Sequence, residues 1–350
     1  MTFCVIHTVI VYSYKEKGGI SMSKNKLEIE VFSAWNTYAI SMMSVLEHSG
    51  MWKKEDTFQK FMCLTGISSQ CCVDKTCSAL PVTDYDWSND HTCFMNRIGV
   101  QTNKYFAQLD NPMYTTIQQE AIKTIKSAID QNIATVVWGI DTGEFGVIYG
   151  YDDDDLIFFC KGIGANNTDA SLPILYNNLG KTFEYAPILY CETPQSLHDV
   201  DWNQAYYDFL KEYIQQMNKI SDDSNRAYGL LGYEMIVKAI QENSIDEFGF
   251  RYCMGIFYER KDAILQYLLE RQKEDTNDLQ VKLIDSFSKT VDLYKKLIFD
   301  ILQGDTEGWD FLFQPINKEC YKDIINIINE IQNSEKNSIN IISVILDRNH

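Results

Sequence analysis

Between residues 134 and 192 the apolar residues come in four short runs, "ATVVWGI", "FGVIYGY", "LIFFCKG" and "APILYCE". Each is rich in β-branched or aromatic residues and is bounded by Gly, Asp or Pro, which predicts strands. The second and third runs meet in "YGYDDDDLIFF", two apolar arms joined by an acidic turn, and this predicts a hairpin. What precedes them has a different period. "SAWNTYAISMMSVLEHSG" predicts a helix opening on Ser33 as cap and ending at Gly50, and "KKEDTFQKFMCLTG" a second helix closing on Gly66. "NDHTCFMNRIG" predicts a third, with Asn89 as cap. In "TTIQQEAIKTIKSAIDQN", Ile117, Ala121, Ile122, Ile125, Ala128 and Ile129 make one apolar stripe. Helices followed by an antiparallel sheet predict an α+β domain over 25–195.

From about residue 200 the period is almost wholly helical. Helices are expected over 201–219, 223–243, 246–272, 277–303 and 317–333, and "SINIISVILDR" reads as strand or helix. No repeat or sustained heptad is visible, so an antiparallel bundle over 200–350 is expected. "PQSLHDVD", residues 194–201, is the expected boundary.

A net charge of −18 disfavours nucleic acid and anionic membrane surfaces, since both are bound by clustered Lys and Arg. The ten cysteines follow no spacing framework, and several sit in apolar runs, which reads as reduced thiols in a cytosol. "CCVDKTC" lacks the paired knuckle spacing of a structural zinc site, and Asp152–Asp155 lacks the calcium-loop pattern. No phosphate loop or dinucleotide fingerprint is present, and no cofactor is expected. The first residues, "MTFCVIHTVIVYSYKEKGGIS", hold an apolar run too short to span a bilayer. "KEKGGIS" is what an in-frame bacterial ribosome-binding site would encode, so synthesis is expected to start at Met22 and residues 1–21 to lie outside the working protein.

Several residues are candidates for chemistry. Glu144 opens a predicted apolar strand, where burial raises a carboxyl pKa and can make a general base, although a solvated turn acid has the same local wording. Cys72 and Cys77 follow Gln70 in a loop, and His91 is the nearest histidine in sequence, so a thiol–imidazole couple is conceivable against the commoner buried structural cysteine. Asp152 and Asp153 stand in the acidic turn. Glu234, Arg251, Glu259 and Arg260 sit among apolar helical positions, as buried charge pairs or on a solvated face.

The stretch "AIDQNIATVVWGIDTGEFGVIYGYDDDDLIFF" resembles the second half of peptidase C39-like domains, nearest to the domain named after butirosin-biosynthesis protein H. "FMCLTGISSQCC" is similar to a Gly-containing loop of such proteins, and the resemblance spans about 30–195. It implies a papain-like cysteine-hydrolase fold. Such a fold places a cysteine at the start of its first helix, a histidine on the facing strand, and Asp or Asn to orient it. Here the helix opens "FSAWNTYA" without cysteine, the strand opens with Glu144, and Asp152 and Asp153 fill the "GYDD" turn. Two readings follow. One is acyl-transfer or amide chemistry on a small acyl or peptidyl substrate, free or on a carrier protein, between the "ISSQCC" loop and Glu144. The other is a catalytically degenerate member that binds a peptide or metabolite in the same cleft.

Overall fold

The computed structural model describes residues 23–82, 85–140, 143–162, 171–184, 186–273, 277–304 and 309–348, so the expected 1–21 extension and Met22 lie outside the described residues. In chain order, β1 (Lys24–Lys26) precedes α1 (Thr37–His48) and α2 (Phe58–Thr65). Then come β2 (Cys72–Asp74), α3 (Trp87–Arg97), β3 (Val100–Gln108) and α4 (Tyr114–Asp130). The strands β4 (Thr135–Ile140), β5 (Glu144–Asp152), β6 (Ile157–Lys161), β7 (Ile174–Leu175) and β8 (Ile188–Leu197) complete the sheet. Helix α5 (Trp202–Met217), strand β9 (Arg226–Tyr228), and helices α6 (Gly229–Gln241), α7 (Glu247–Gln272), α8 (Asp278–Lys295) and α9 (Tyr321–Arg348) follow.

The sheet runs β3-β8-β4-β5-β6-β7, with β1 on the far half of β5, and its ladders are antiparallel. Strand β5 is buried at every residue after Glu144. Helices α1 and α4 both pack on it. Cover on two faces explains why "FGVIYGY" is a continuous apolar run rather than an alternation. Strand β3 has no such signature: its "VQTNKYFAQ" is polar, because it is an edge strand bonded only to β8. The predicted hairpin is present, with Asp152 opposite Ile157. The architecture is therefore α+β, an antiparallel sheet followed by a helical region.

Several helix starts differ from expectation. Helix α1 begins at Thr37 rather than after Ser33, and Asn36, at its N-cap, makes no side-chain capping bond. Helix α3 is capped by Asp86, which accepts from Asn89 N and lies three residues before the expected cap, Asn89. Helix α2 ends as predicted on Gly66, whose φ of +87° is left-handed and would strain a residue with a Cβ. The expected 223–243 helix starts only at Gly229, since Arg226–Tyr228 pairs instead with β2. The last two expected pieces are one 28-residue helix, α9, along which Ile324, Ile327, Ile328, Ile331, Ile342 and Ile345 form one buried stripe.

Helix α7 joins the halves: it packs on α2 as well as α8, and the buried apolar side chains form one continuous cluster through both. A polar knot lies within the helices. Lys261 of α7 and Glu335 of α9, 1% and 0% exposed, meet at 3.2 Å. Tyr213 of α5 donates to Glu335, and Tyr233 of α6 lies 3.4 Å from it and 2.9 Å from Tyr294 of α8. Burial lowers Lys261 to about 8, with the nearby Cys71 opposing, and burial pushes Glu335 well up. The charged residues flagged in sequence do not pair with one another. Arg251 donates to the carbonyls of Leu302 and Pro315, and Glu234 accepts from Gln332.

Candidate functional site

The first turn of α1 leaves N–H groups without intrahelical acceptors, since the first helical bond is Ile40 N to Asn36 O. Three elements converge on that end. Strand β5 brings Glu144, α7 brings Tyr252, Glu259 and Arg260, and α1 itself brings Thr37. Thr37 Oγ1 donates to Glu144 Oε2 at 3.0 Å and accepts from Phe145 N at 3.3 Å. Tyr252 OH donates to Glu144 Oε1 at 2.9 Å. Thus one carboxylate holds two hydroxyls, and one of these is the first side chain of the helix. Burial raises the Glu144 pKa against the lowering effect of these two bonds. Burial, then the adjacent Glu144, raises Tyr252, which stays a phenol donor.

Glu259 fixes the backbone that leads into the helix rather than capping its first turn. Trp35 N and Asn36 N each donate to its carboxylate at 2.8 Å, and the Asn36 amide donates to it as well. Arg260, 2% exposed, then ties this end to the loop before β2: Nε donates to Asn36 Oδ1 at 2.9 Å and an Nη to Gln70 O at 2.8 Å. Gly255 lets the helix carry all this against Trp35, because a Cβ there would meet the indole ring at 2.9 Å.

Behind the pair lies a closed aromatic chamber. Tyr38, next to Thr37, stacks on His91 at 3.4 Å between ring centres, and Phe145, next to Glu144, meets the same ring edge-on. His91 Nδ1 is 2.6 Å from Tyr190 OH and Nε2 is 3.1 Å from Tyr85 OH. Tyr190 and Tyr38 donate to Glu192, as does Thr102, with Lys104 at 3.2 Å. Burial lowers His91, with Glu192 opposing. Burial works against ionised Glu192, but His91, Lys104 and Tyr190 outweigh it and hold the carboxyl at about 2.

The predicted site residues divide accordingly. Glu144 stands at the helix terminus. Cys72 does not: it lies on β2, opposite Tyr228 of β9. Cys77 is fully buried beside Cys253. Neither thiol is a partner of His91, whose two ring nitrogens face Tyr190 and Tyr85, so the thiol–imidazole couple is not assembled. Asp152 ends β5, eight residues beyond Glu144, which is about 27 Å at strand rise. It bonds Lys24 at 2.6 Å and accepts from Asp154 N and Asp155 N, so it shapes the hairpin turn. Asp153 takes Lys126 and Tyr176. Glu144, Cys72 and Asp152 therefore do not form one constellation. The residues that the structure gathers with Glu144 at the end of α1 are Thr37, Tyr252, Glu259 and Arg260. Thr37 carries no sequence signal, because the local pattern opens the helix on Ser33, and the α7 residues come from more than 100 positions away.

Among the described residues no helix is long and apolar enough to cross a membrane. No family model matches the chain, and no curated protein is significantly similar to it.

Proposed function

We propose that the chain performs acyl-transfer or amide chemistry on a small acyl or peptidyl substrate, free or on a carrier protein, using a papain-like scaffold of the C39 and butirosin-H type. The observation that carries this reading is the bond from Thr37 Oγ1 to Glu144 at the N-terminal end of α1. A nucleophile, a base and a group that orients the base are the parts acyl transfer needs. Thr37 supplies the hydroxyl, Glu144 takes its proton, and Tyr252 fixes the carboxylate. The first-turn N–H groups favour the oxyanion that forms as the acyl carbon is attacked. The roles of cysteine and histidine pass to threonine and glutamate.

A second reading has its own observation. Glu259 already holds the N–H groups of Trp35 and Asn36, and Thr37 is bonded on both sides, which suits a cleft that binds without reacting. The two are separated with p-nitrophenyl acetate as the acyl probe. Catalysis gives p-nitrophenol release and a transient acetyl adduct on Thr37 in the intact-mass spectrum. Thr37→Val abolishes both and Glu144→Gln slows release by about 100-fold, the usual scale of losing a general base. Equal rates for native protein and Glu144→Gln, with no adduct on Thr37, refute the catalytic reading and leave binding.

A further inference from the structure

The end of α1 that carries Thr37 is bordered by a series of aromatic rings. Tyr252, whose hydroxyl is bonded to Glu144, meets Trp35 edge-on, with ring centres 6.0 Å apart. Phe248, one turn earlier on α7, lies nearly parallel to Tyr252 at 6.2 Å. Phe313 follows at 5.2 Å from Phe248 and is 74% exposed, so the rings run from the Glu144 carboxylate out to solvent. Exposed apolar side chains scattered singly are ordinary, but this one is held on both sides. Before it, Phe311 and Leu312 are buried, and the Arg251 guanidinium lies over the Phe311 ring at 4.8 Å. After it, Pro315 O accepts from Arg251 at 3.2 Å and Ile316 N donates to Glu247 at 2.8 Å. Glu247 and Arg251 flank Phe248 in the chain, so the helix that carries Tyr252 also fixes the segment that presents Phe313. Two more segments at this end expose apolar side chains. Phe32, three residues before Trp35, is 42% exposed. Leu80, 72% exposed, follows residues 77–79, on which α7 packs so closely that a Cβ at Gly249 would lie 2.4 Å from Cys77 O.

The guanidinium groups nearby are directed inward, Arg251 at the carbonyls of Leu302 and Pro315 and Arg260 at Asn36 and Gln70 O, so this border presents rings rather than cations. We propose, resting on the reading of Thr37 and Glu144 as the site, that the acyl group accepted here ends in an aromatic ring or a comparably bulky apolar group, and that Phe248 and Phe313 select it. A phenyl ring set against these two gains both buried area and ring contact. A short acyl group carries nothing to place there, and an anionic one would meet the carboxylates of Glu144 and Glu247 without a free guanidinium to offset them.

The test reads binding rather than turnover. Hydrocinnamamide and propionamide, which differ only by the phenyl ring, are titrated into the full chain and followed by saturation-transfer difference NMR. Hydrocinnamamide binds saturably, at least tenfold more tightly than propionamide, with the strongest transfer to its phenyl protons. Phe313→Ser, at an exposed position that the fold does not need filled, weakens hydrocinnamamide by about tenfold, and Phe248→Leu weakens it too. Phe106→Ser, at a half-exposed ring on the edge strand β3, leaves it unchanged. The proposal is overturned by no saturable binding at millimolar hydrocinnamamide, by equal affinity for the two amides, by full affinity in Phe313→Ser, or by an equal loss in Phe106→Ser. Ring-dependent binding without an acetyl adduct on Thr37 from p-nitrophenyl acetate refutes the catalytic reading alone, whereas an adduct with no dependence on Phe313 refutes this inference alone.

Discussion

Substituting Glu335 by Ala removes one partner of a pair whose members are 1% and 0% exposed. Lys261 is then left beside Tyr213 and Met217 with no carboxylate. Breaking a buried pair by removing one member costs about 3–5 kcal/mol. Tyr213 loses its acceptor too, while Tyr233 keeps Tyr294, and because these bonds form one network their costs overlap rather than add. A loss near 4 kcal/mol is a large part of the roughly 5–15 kcal/mol that holds a domain folded. The sign of the pH dependence follows from burial, which already lowers Lys261 to about 8. Without Glu335 the folded state sheds that proton while the unfolded chain, with a lysine pKa near 10.4, keeps it. The variant therefore gains up to about 1.4 kcal/mol of stability per pH unit between about pH 8, where folded Lys261 loses its proton, and about pH 10. Urea unfolding followed by far-UV circular dichroism at neutral and alkaline pH measures both. The double variant Lys261→Met/Glu335→Leu should return to within about 1 kcal/mol of the native protein, or exceed it, with no such slope. A single variant that loses under about 1 kcal/mol at neutral pH, or whose stability does not rise between about pH 8 and pH 10, refutes the reasoning.

Two further outcomes are expected. Glu192 has its pKa held at about 2, so its stabilisation is complete above the ordinary carboxylate range and is lost as pH falls toward 2. His91, lowered by burial, adds to acid instability below its ordinary range, since the unfolded chain then binds more protons. Glu192→Gln should flatten the acid limb of a melting-temperature profile, and an unchanged limb counts against the chamber as its origin. Among the described cysteines only Cys93 is exposed and Cys320 half-exposed, while Cys71 is pushed up to about 12 by burial. Limiting iodoacetamide should therefore modify Cys93 first and leave Cys72 untouched, whereas fast labelling of Cys72 below neutrality would restore it as a nucleophile.

The elements legible in the sequence are those whose burial is one-sided or complete. Helix α4 shows its stripe, β5 its unbroken apolar run, and α2 its glycine stop. Strand β3 was hidden because an edge strand keeps polar residues on its open face. The start of α1 at Thr37 has no local signature, because Asn36 makes no side-chain capping bond and the backbone leading into the helix is held by Glu259, 223 residues away. Glu144 is conspicuous in the sequence as an acid opening an apolar strand, whereas Cys72, singled out after Gln70, and Asp152, singled out in the "GYDD" turn, lie elsewhere in the fold because sequence wording carries no distance.

Local pattern determined this protein's α+β order and its switch to helices near residue 200, because hydrophobic period is a property of neighbouring residues. Tertiary structure alone decided which side chains meet at the α1 terminus. Tyr252, Glu259 and Arg260 reach it only when α7 docks there, and that contact depends on burying one continuous core through both halves of the chain. Partners separated by that much sequence leave no periodic trace in it.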